Sequence, residues 1–67
     1  MTTAAELRHG DHIRVTDGIG TRGKQFSVRS VRGPVVHCAL IEGRFPDGRL
    51  ILGAERSFHL DVVELVK

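Results

Sequence analysis

The first stretch in which hydrophobic and polar residues alternate is short and lies near the N-terminus. Ile13 and Val15 are separated by one polar residue, which predicts a β-strand over residues 12–16 with both side chains directed into a core. The next segment, residues 17–24, has no hydrophobic period and contains three glycines. Since glycine accepts positive φ angles, this segment is predicted to be an irregular loop.

A second strand is predicted over residues 25–32, and its period is interrupted. Phe26 and Val28 share one face of this strand, whereas Val31 falls on the opposite parity. A strand has a side-chain period of two, so something must reset the period between Val28 and Val31. A β-bulge or a strong bend is predicted there, as small barrels use both to turn corners.

The middle of the chain carries the most continuous apolar run. Residues 35–42 are nearly all hydrophobic, which predicts a third strand in the interior of a sheet, covered on much of both faces. Gly33-Pro34 before it is a turn signal. Pro46, Asp47 and Gly48 are typical of a tight turn and predict a hairpin loop over residues 43–48.

The last third of the chain predicts two short strands and a helical turn. A fourth strand is predicted over residues 49–53, and residues 54–57 fit either a short turn or a bulge. Residues 59–63 have helical rather than strand spacing, which predicts a single 3₁₀ turn before a final strand at residues 64–66. Phe58 and Leu60 are candidates for the core.

The size of the chain predicts one domain over residues 1–67. Thr3 and Glu6 have the spacing of a helix capping box, but Gly10 follows within about one turn. Residues 1–7 are therefore predicted to be a short or frayed lead-in, with Leu7 in the core. Five short strands, a glycine-rich loop and one helical turn predict an all-β fold that closes, or nearly closes, into a barrel.

The composition of the chain limits the cellular compartments and the binding modes that we expect. The single cysteine, Cys38, cannot form an internal disulfide, which is compatible with a reducing compartment. No apolar run approaches the roughly 20 residues of a membrane span, and the N-terminus lacks the pattern of a secretory signal. We therefore expect a cytoplasmic protein with no membrane partner. Three phenylalanines are the only aromatic residues other than histidine, which disfavours base-stacking platforms and aromatic grooves for peptides.

The start of the first predicted strand resembles a known motif. Gly10-Asp11 precedes two inward apolar residues, Ile13 and Val15, and Gly18 opens the following loop. This order is similar to the opening of the KOW motif, which occurs in SH3-like barrels of ribosomal proteins and bacterial transcription elongation factors. The helical turn before a final short strand resembles the end of the same barrels. The resemblance implies a five-stranded SH3-like barrel whose first loop and flanking strands engage RNA or a ribosomal or polymerase partner.

The positive charge of the chain is concentrated in the same region. Residues 19–34 contain no acidic residue and four basic ones: Arg22, Lys24, Arg29 and Arg32. Arg14 would adjoin them on the outer face if the first two strands pair antiparallel. These five residues are the predicted nucleic-acid-binding set, able to bind phosphates without reading sequence. The plainer interpretation is a solvated charged face, which cross-strand pairing of the arginines with glutamates would favour.

An alternative function is a protein-interaction or homo-oligomeric assembly domain. It would use apolar surface of the third strand, or a set of exposed loop residues: Ile19, Arg44, Phe45 and Arg49. Phe45 could be such an exposed anchor or could fold over the mouth of the barrel, and we favour the second.

Other chemistry is not indicated by the sequence. The glycine-rich loop lacks the spacing of a nucleotide-binding P-loop, and Cys38 is predicted to be a small core residue. The four histidines are scattered, and no acid and base stand out as a pair. We therefore predict no metal site, no cofactor and no catalytic activity. A structure that pairs the arginines with carboxylates, or a pocket that unites histidine and carboxylate groups, would contradict the prediction of a noncatalytic module that binds through free arginines.

Overall fold

The structure is a computed structural model and describes residues 7–66. These residues form an antiparallel five-stranded sheet and one 3₁₀ turn, so the all-β prediction is confirmed. The elements, in chain order, are β1 His12–Val15, β2 Gln25–Arg32, β3 Val35–Arg44, β4 Leu50–His59, the 3₁₀ turn Leu60–Val62 and β5 Val63–Val66. The predicted capping box at Thr3 and Glu6 lies outside the described residues.

The first two strands follow the hydrophobic pattern closely. Ile13 and Val15 of β1 are 0% and 1% exposed, and β1 pairs antiparallel with β2. The predicted interruption of β2 is a bulge: Val28 lies opposite Cys38, whereas Ser30 lies opposite the next residue, His37. One extra residue, Arg29, is thereby accommodated, and Val31 returns to the core side.

The second half of the sheet is longer than the sequence predicts. The fourth strand was expected to end at residue 53, but β4 continues to His59 and residues 54–57 belong to it. They are held extended because Glu55, Arg56 and Ser57 each lie opposite a residue of β3. The register shifts twice along this ladder, so the bulge alternative is the correct one. The hairpin loop is correspondingly shorter, since β3 extends to Arg44.

The order of the strands requires the sheet to curl. That order is β4-β3-β2-β1-β5, which would place β4 and β5 about 19 Å apart in a flat sheet. His59 and Val63 are only four residues apart, so they lie within about 14 Å of one another. Among residues 7–66 no ladder joins β4 to β5, and the 3₁₀ turn bridges the opening.

The core fills the inside of the curled sheet. Its buried members come from the residues before β1, from β1, β2, β3 and β5, and from the 3₁₀ turn: Leu7, Ile13, Val15, Phe26, Val28, Val36, Cys38, Leu60 and Val63. β4 adds the half-buried Phe58, which packs against this cluster. Phe26 packs edge to face against Phe58, with ring centroids 5.1 Å apart. We call the opposite side of the sheet, which carries Arg14, Ser27 and His37, the outer face. No helix in the described part of the chain has the length and apolar character to cross a membrane.

Candidate nucleic-acid interface

Arg14 is placed as expected, but its charge is compensated. It lies opposite Gln25 on β2, which confirms the antiparallel neighbourhood predicted for it. It also lies opposite Glu64 on β5, and its Nε donates a hydrogen bond of 2.6 Å to Glu64 Oε1. A second guanidinium nitrogen forms an ion pair with the same oxygen. Arg14 is therefore the least available of the five basic residues.

The other four predicted basic residues keep their charges exposed. None of them forms an ion pair with a carboxylate of residues 7–66, where the ion pairs join Arg14 to Glu64, Arg49 to Asp47, and His59 to Asp61. The exposed and unpaired residues are Arg22, Lys24, Arg29 and Arg32. The neutralising pairs that would have favoured the plainer interpretation are thus absent from these four positions.

Three of these four residues lie at the start of β2 or along it, and Arg22 lies in the loop before it. Lys24 immediately precedes β2, and Arg29 and Arg32 follow along the same strand. At a rise of about 3.3 Å per residue, Lys24 lies roughly 16 Å from Arg29 and roughly 26 Å from Arg32. The row is therefore long enough to follow an extended polyanion.

The bulge in β2 decides where Arg29 points. Arg29 and Ser30 together oppose His37, whose neighbours Val36 and Cys38 are in the core. Both residues are exposed and belong to the outer face. Without the bulge, the alternation that puts Phe26 and Val28 in the core would direct Ser30 inward.

A polar groove crosses the outer face at this point. We define the outer-face groove by the residues that line it, which are Arg29, Ser30, His37, Cys38, Glu55, Arg56 and Ser57. Its volume is about 530 Å³. His37 and Ser57 are direct cross-strand neighbours, and Ser57 Oγ lies 2.7 Å from His37 Nδ1. Three adjacent strands therefore present hydrogen-bonding side chains to one space.

The glycine-rich loop uses its amide groups internally. The amide of Gly23 donates to the Val15 carbonyl at 2.8 Å, and the amide of Lys24 donates to Thr21 at 3.0 Å. Gly18 has a φ of 147°, and a Cβ there would meet Thr21 Oγ1 at 2.5 Å. The loop is thus a set of turns that carries basic side chains, and these two amides do not point at a ligand.

Of the four residues predicted to contact a protein partner, two are exposed hydrophobic residues and two are arginines that make contacts within their own loop. Ile19 is fully exposed at the tip of the loop before β2. Phe45 is 47% exposed, so it fits the exposed anchor that we did not favour. Arg49 lies over the Phe45 ring at 5.3 Å and pairs with Asp47, and Arg44 donates to the Gly48 carbonyl at 3.1 Å. The two arginines therefore brace their own hairpin loop.

Cys38 is in the core, as predicted, and is 1% exposed. Burial raises the pKa of its thiol from 9.0 to about 11. Its Sγ lies 3.4 Å from the Arg56 carbonyl. Within residues 7–66, no three histidine, cysteine or acidic side chains are arranged to hold a metal ion.

Comparison with known proteins finds no significant match to a protein-family model, a curated protein or a solved structure. The similarity to the KOW motif therefore stays a prediction carried by residues 8–31. Two positions depart from the motif. Gly23 falls one residue later than the usual spacing of the loop glycine, and Phe26, whose side chain is buried in the core, stands near the place of the later glycine.

The sequence did not predict that four groove residues meet in one place: Ser30, His37, Glu55 and Ser57. They come from three strands, and their meeting depends on the register of β2, β3 and β4. The one signal available in the sequence was the broken period after Val28, which places Ser30 outside. The extension of β4 past residue 53 carried no comparable signal.

Proposed function

We propose that this chain is an SH3-like barrel of the KOW type that binds RNA, free or within a nucleoprotein complex, without catalysing a reaction. The observation that carries the proposal is the exposed row of Arg22, Lys24, Arg29 and Arg32, none of which pairs with a carboxylate of the described residues. Arginine and lysine side chains in such a row suit phosphate groups, which fix position without reading bases.

The spacing of the row sets the strength of binding. At physiological salt the Debye length is about 8 Å, well below the roughly 16 Å between Lys24 and Arg29. The charges of Arg22 and Lys24 are therefore screened from those of Arg29 and Arg32, and the fields of the four do not combine into one strong patch. We therefore expect weak binding that is not specific for sequence, and an affinity that depends on a partner complex for reinforcement.

The outer-face groove unites His37 with the carboxylate of Glu55, which is the arrangement expected to contradict a noncatalytic function, so the proposal depends on how these two groups are placed. His37 bonds to Ser57 through Nδ1, and among residues 7–66 no hydrogen bond joins Glu55 to His37. Glu55 lies opposite Ala39 rather than His37, so it does not orient the imidazole as an acid–base relay requires. The groove therefore favours binding over chemistry.

The test is a salt titration of RNA binding. A fluorescently labelled single-stranded RNA is titrated with the protein, and anisotropy is read at about 50 mM and about 200 mM salt. We expect measurable binding at the lower salt that heparin competes away and that weakens steeply at the higher salt. An affinity that does not change with salt, or the absence of binding at the lower salt, would contradict the proposal.

A second candidate function is self-association through the far end of the β3–β4 hairpin. Phe45 and Leu52 are exposed there, and β4 is a terminal strand in the described sheet order. An exposed apolar surface beside an unpaired strand edge favours pairing with another chain. Sedimentation velocity over a range of concentrations tests this function. Concentration-dependent dimers that Leu52→Lys abolishes would support it, and a monomer at all concentrations would exclude it.

A further inference from the structure

The outer-face groove contains two kinds of hydrogen-bonding group. On the β2 side, Arg29 offers guanidinium donors and Ser30 offers a hydroxyl. On the β4 side, Glu55 offers only acceptors when it is ionised, and Arg56 adds a second guanidinium. His37 lies between them on β3. A ligand that satisfies both sides carries an anionic group and, close to it, a hydrogen-bond donor.

Ser57 prepares His37 for this ligand. When the Ser57 hydroxyl donates to Nδ1 of the imidazole, Nε2 carries the ring proton. Because His37 lines the groove, in this tautomer it can donate to an anionic oxygen there, together with Arg29 and Ser30. Ser57 is in this sense a positioning residue, because it acts on the ligand through the tautomer of His37.

Glu55 is the residue that distinguishes between possible ligands of the outer-face groove. A carboxylate beside a row of basic residues repels phosphate, so a groove that served only phosphate would do better without Glu55. Glu55 strengthens binding only if the ligand places a hydrogen-bond donor next to its carboxylate. In a nucleic-acid backbone the group that both lies next to a phosphate and donates a hydrogen bond is the 2′-hydroxyl of ribose.

We infer that the outer-face groove recognises a ribose–phosphate unit, with the phosphate on Arg29, Ser30 and His37 and the 2′-hydroxyl donating to Glu55. The protein then prefers RNA to DNA of the same base sequence. This inference rests on the proposed function and adds to it the choice of sugar, which the exposed basic row cannot make.

The experiment compares three labelled single strands of one uracil-containing sequence, with ribose, deoxyribose and 2′-fluororibose sugars. The 2′-fluoro strand keeps the sugar pucker of RNA but has no donor at the 2′ position. We expect the wild-type protein to bind the ribose strand about 3- to 10-fold more tightly than the other two, as the net contribution of one typical hydrogen bond at an exposed site allows.

Glu55→Ala is the decisive variant, and Glu42→Ala is its matched control. Both residues are exposed, and both changes remove one negative charge, but Glu42 lies outside the groove. We expect Glu55→Ala to bring the three affinities within about 2-fold of each other. Glu42→Ala should raise all three affinities together and keep the ribose preference. Circular dichroism melting of both variants confirms that each is folded at the assay temperature.

Each result that contradicts the inference leads to a different conclusion. Equal binding of ribose and deoxyribose strands would overturn the inference and leave the proposed function standing. Binding of the 2′-fluoro strand as tight as the ribose strand would show that the preference comes from sugar pucker, and would also overturn it. A ribose preference that survives Glu55→Ala would place the selection elsewhere. Failure to bind any strand at low salt would refute the proposed function as well.

Discussion

The pairing of Arg14 with Glu64 makes the salt dependence of RNA binding a quantitative test of the interface. Replacing Glu64 by Gln removes the carboxylate that holds Arg14 and releases one further cation to the outer face. Replacing Arg29 by Ala removes one cation that has no such partner among residues 7–66. The two changes should therefore move the salt dependence in opposite directions.

The size of each effect follows from the count of available cations. For single strands the slope of log K against log salt is about −0.7 per neutralised phosphate, so four unpaired cations give about −2.8. A slope of about −2.8 corresponds to a roughly 50-fold loss of affinity between about 50 mM and 200 mM salt. Arg29→Ala should reduce the slope to about −2.1, and Glu64→Gln should increase it to about −3.5.

Fluorescence anisotropy at four or more salt concentrations measures these slopes. The control is the double variant Arg14→Met, Glu64→Gln, which removes both members of the pair and should keep the slope near that of the wild type. An exposed pair contributes only about 0–1 kcal/mol to stability, so these variants should fold. Equal reductions of the slope by Arg14→Met alone and by Arg29→Ala would refute the reasoning, because Arg14 would then already be in contact with phosphate.

Three further predictions concern the core and the groove. Phe26→Ala should lower the free energy of unfolding, measured by urea denaturation, by about 3–5 kcal/mol, because Phe26 is 1% exposed. Phe45→Ala, at an exposed site, should lower it by less than about 1 kcal/mol. Similar losses from the two variants would contradict the assigned core. Burial raises the pKa of the Cys38 thiol from 9.0 to about 11, so the thiol of the unfolded chain ionises first as the pH rises. The contribution of the buried thiol to the free energy of unfolding is therefore complete below pH 9. About 2–3 kcal/mol of it is lost between pH 9 and about 11. Cys38→Ala should lack this loss, and equal alkylation rates of native and urea-unfolded protein at neutral pH would contradict the burial. Ser57 should form no covalent adduct with a fluorophosphonate, as read by intact mass, and labelling of Ser57 would show a nucleophile where we propose none.

Local patterns in the sequence were sufficient for the first half of the fold. The alternation around Ile13 and the broken period after Val28 predicted β1, β2 and an interruption by a bulge or a bend, because side-chain parity in a strand depends only on neighbouring residues. Helical spacing likewise predicted the turn at Leu60–Val62. The basic row could be predicted as well, since its members are close together in the sequence.

Which basic residues are available is a tertiary property. Arg14 and Glu64 are fifty residues apart, and only the β1–β5 ladder brings them together. The length of β4 was decided in the same way, because Glu55 and Ser57 are extended only through their pairing with β3. The outer-face groove follows from that pairing and from the bulge in β2. The sequence by itself therefore determined the strands and the row of positive charge, and tertiary pairing decided which charges stay exposed and which side chains meet, because cross-strand register joins residues that have no relation along the chain.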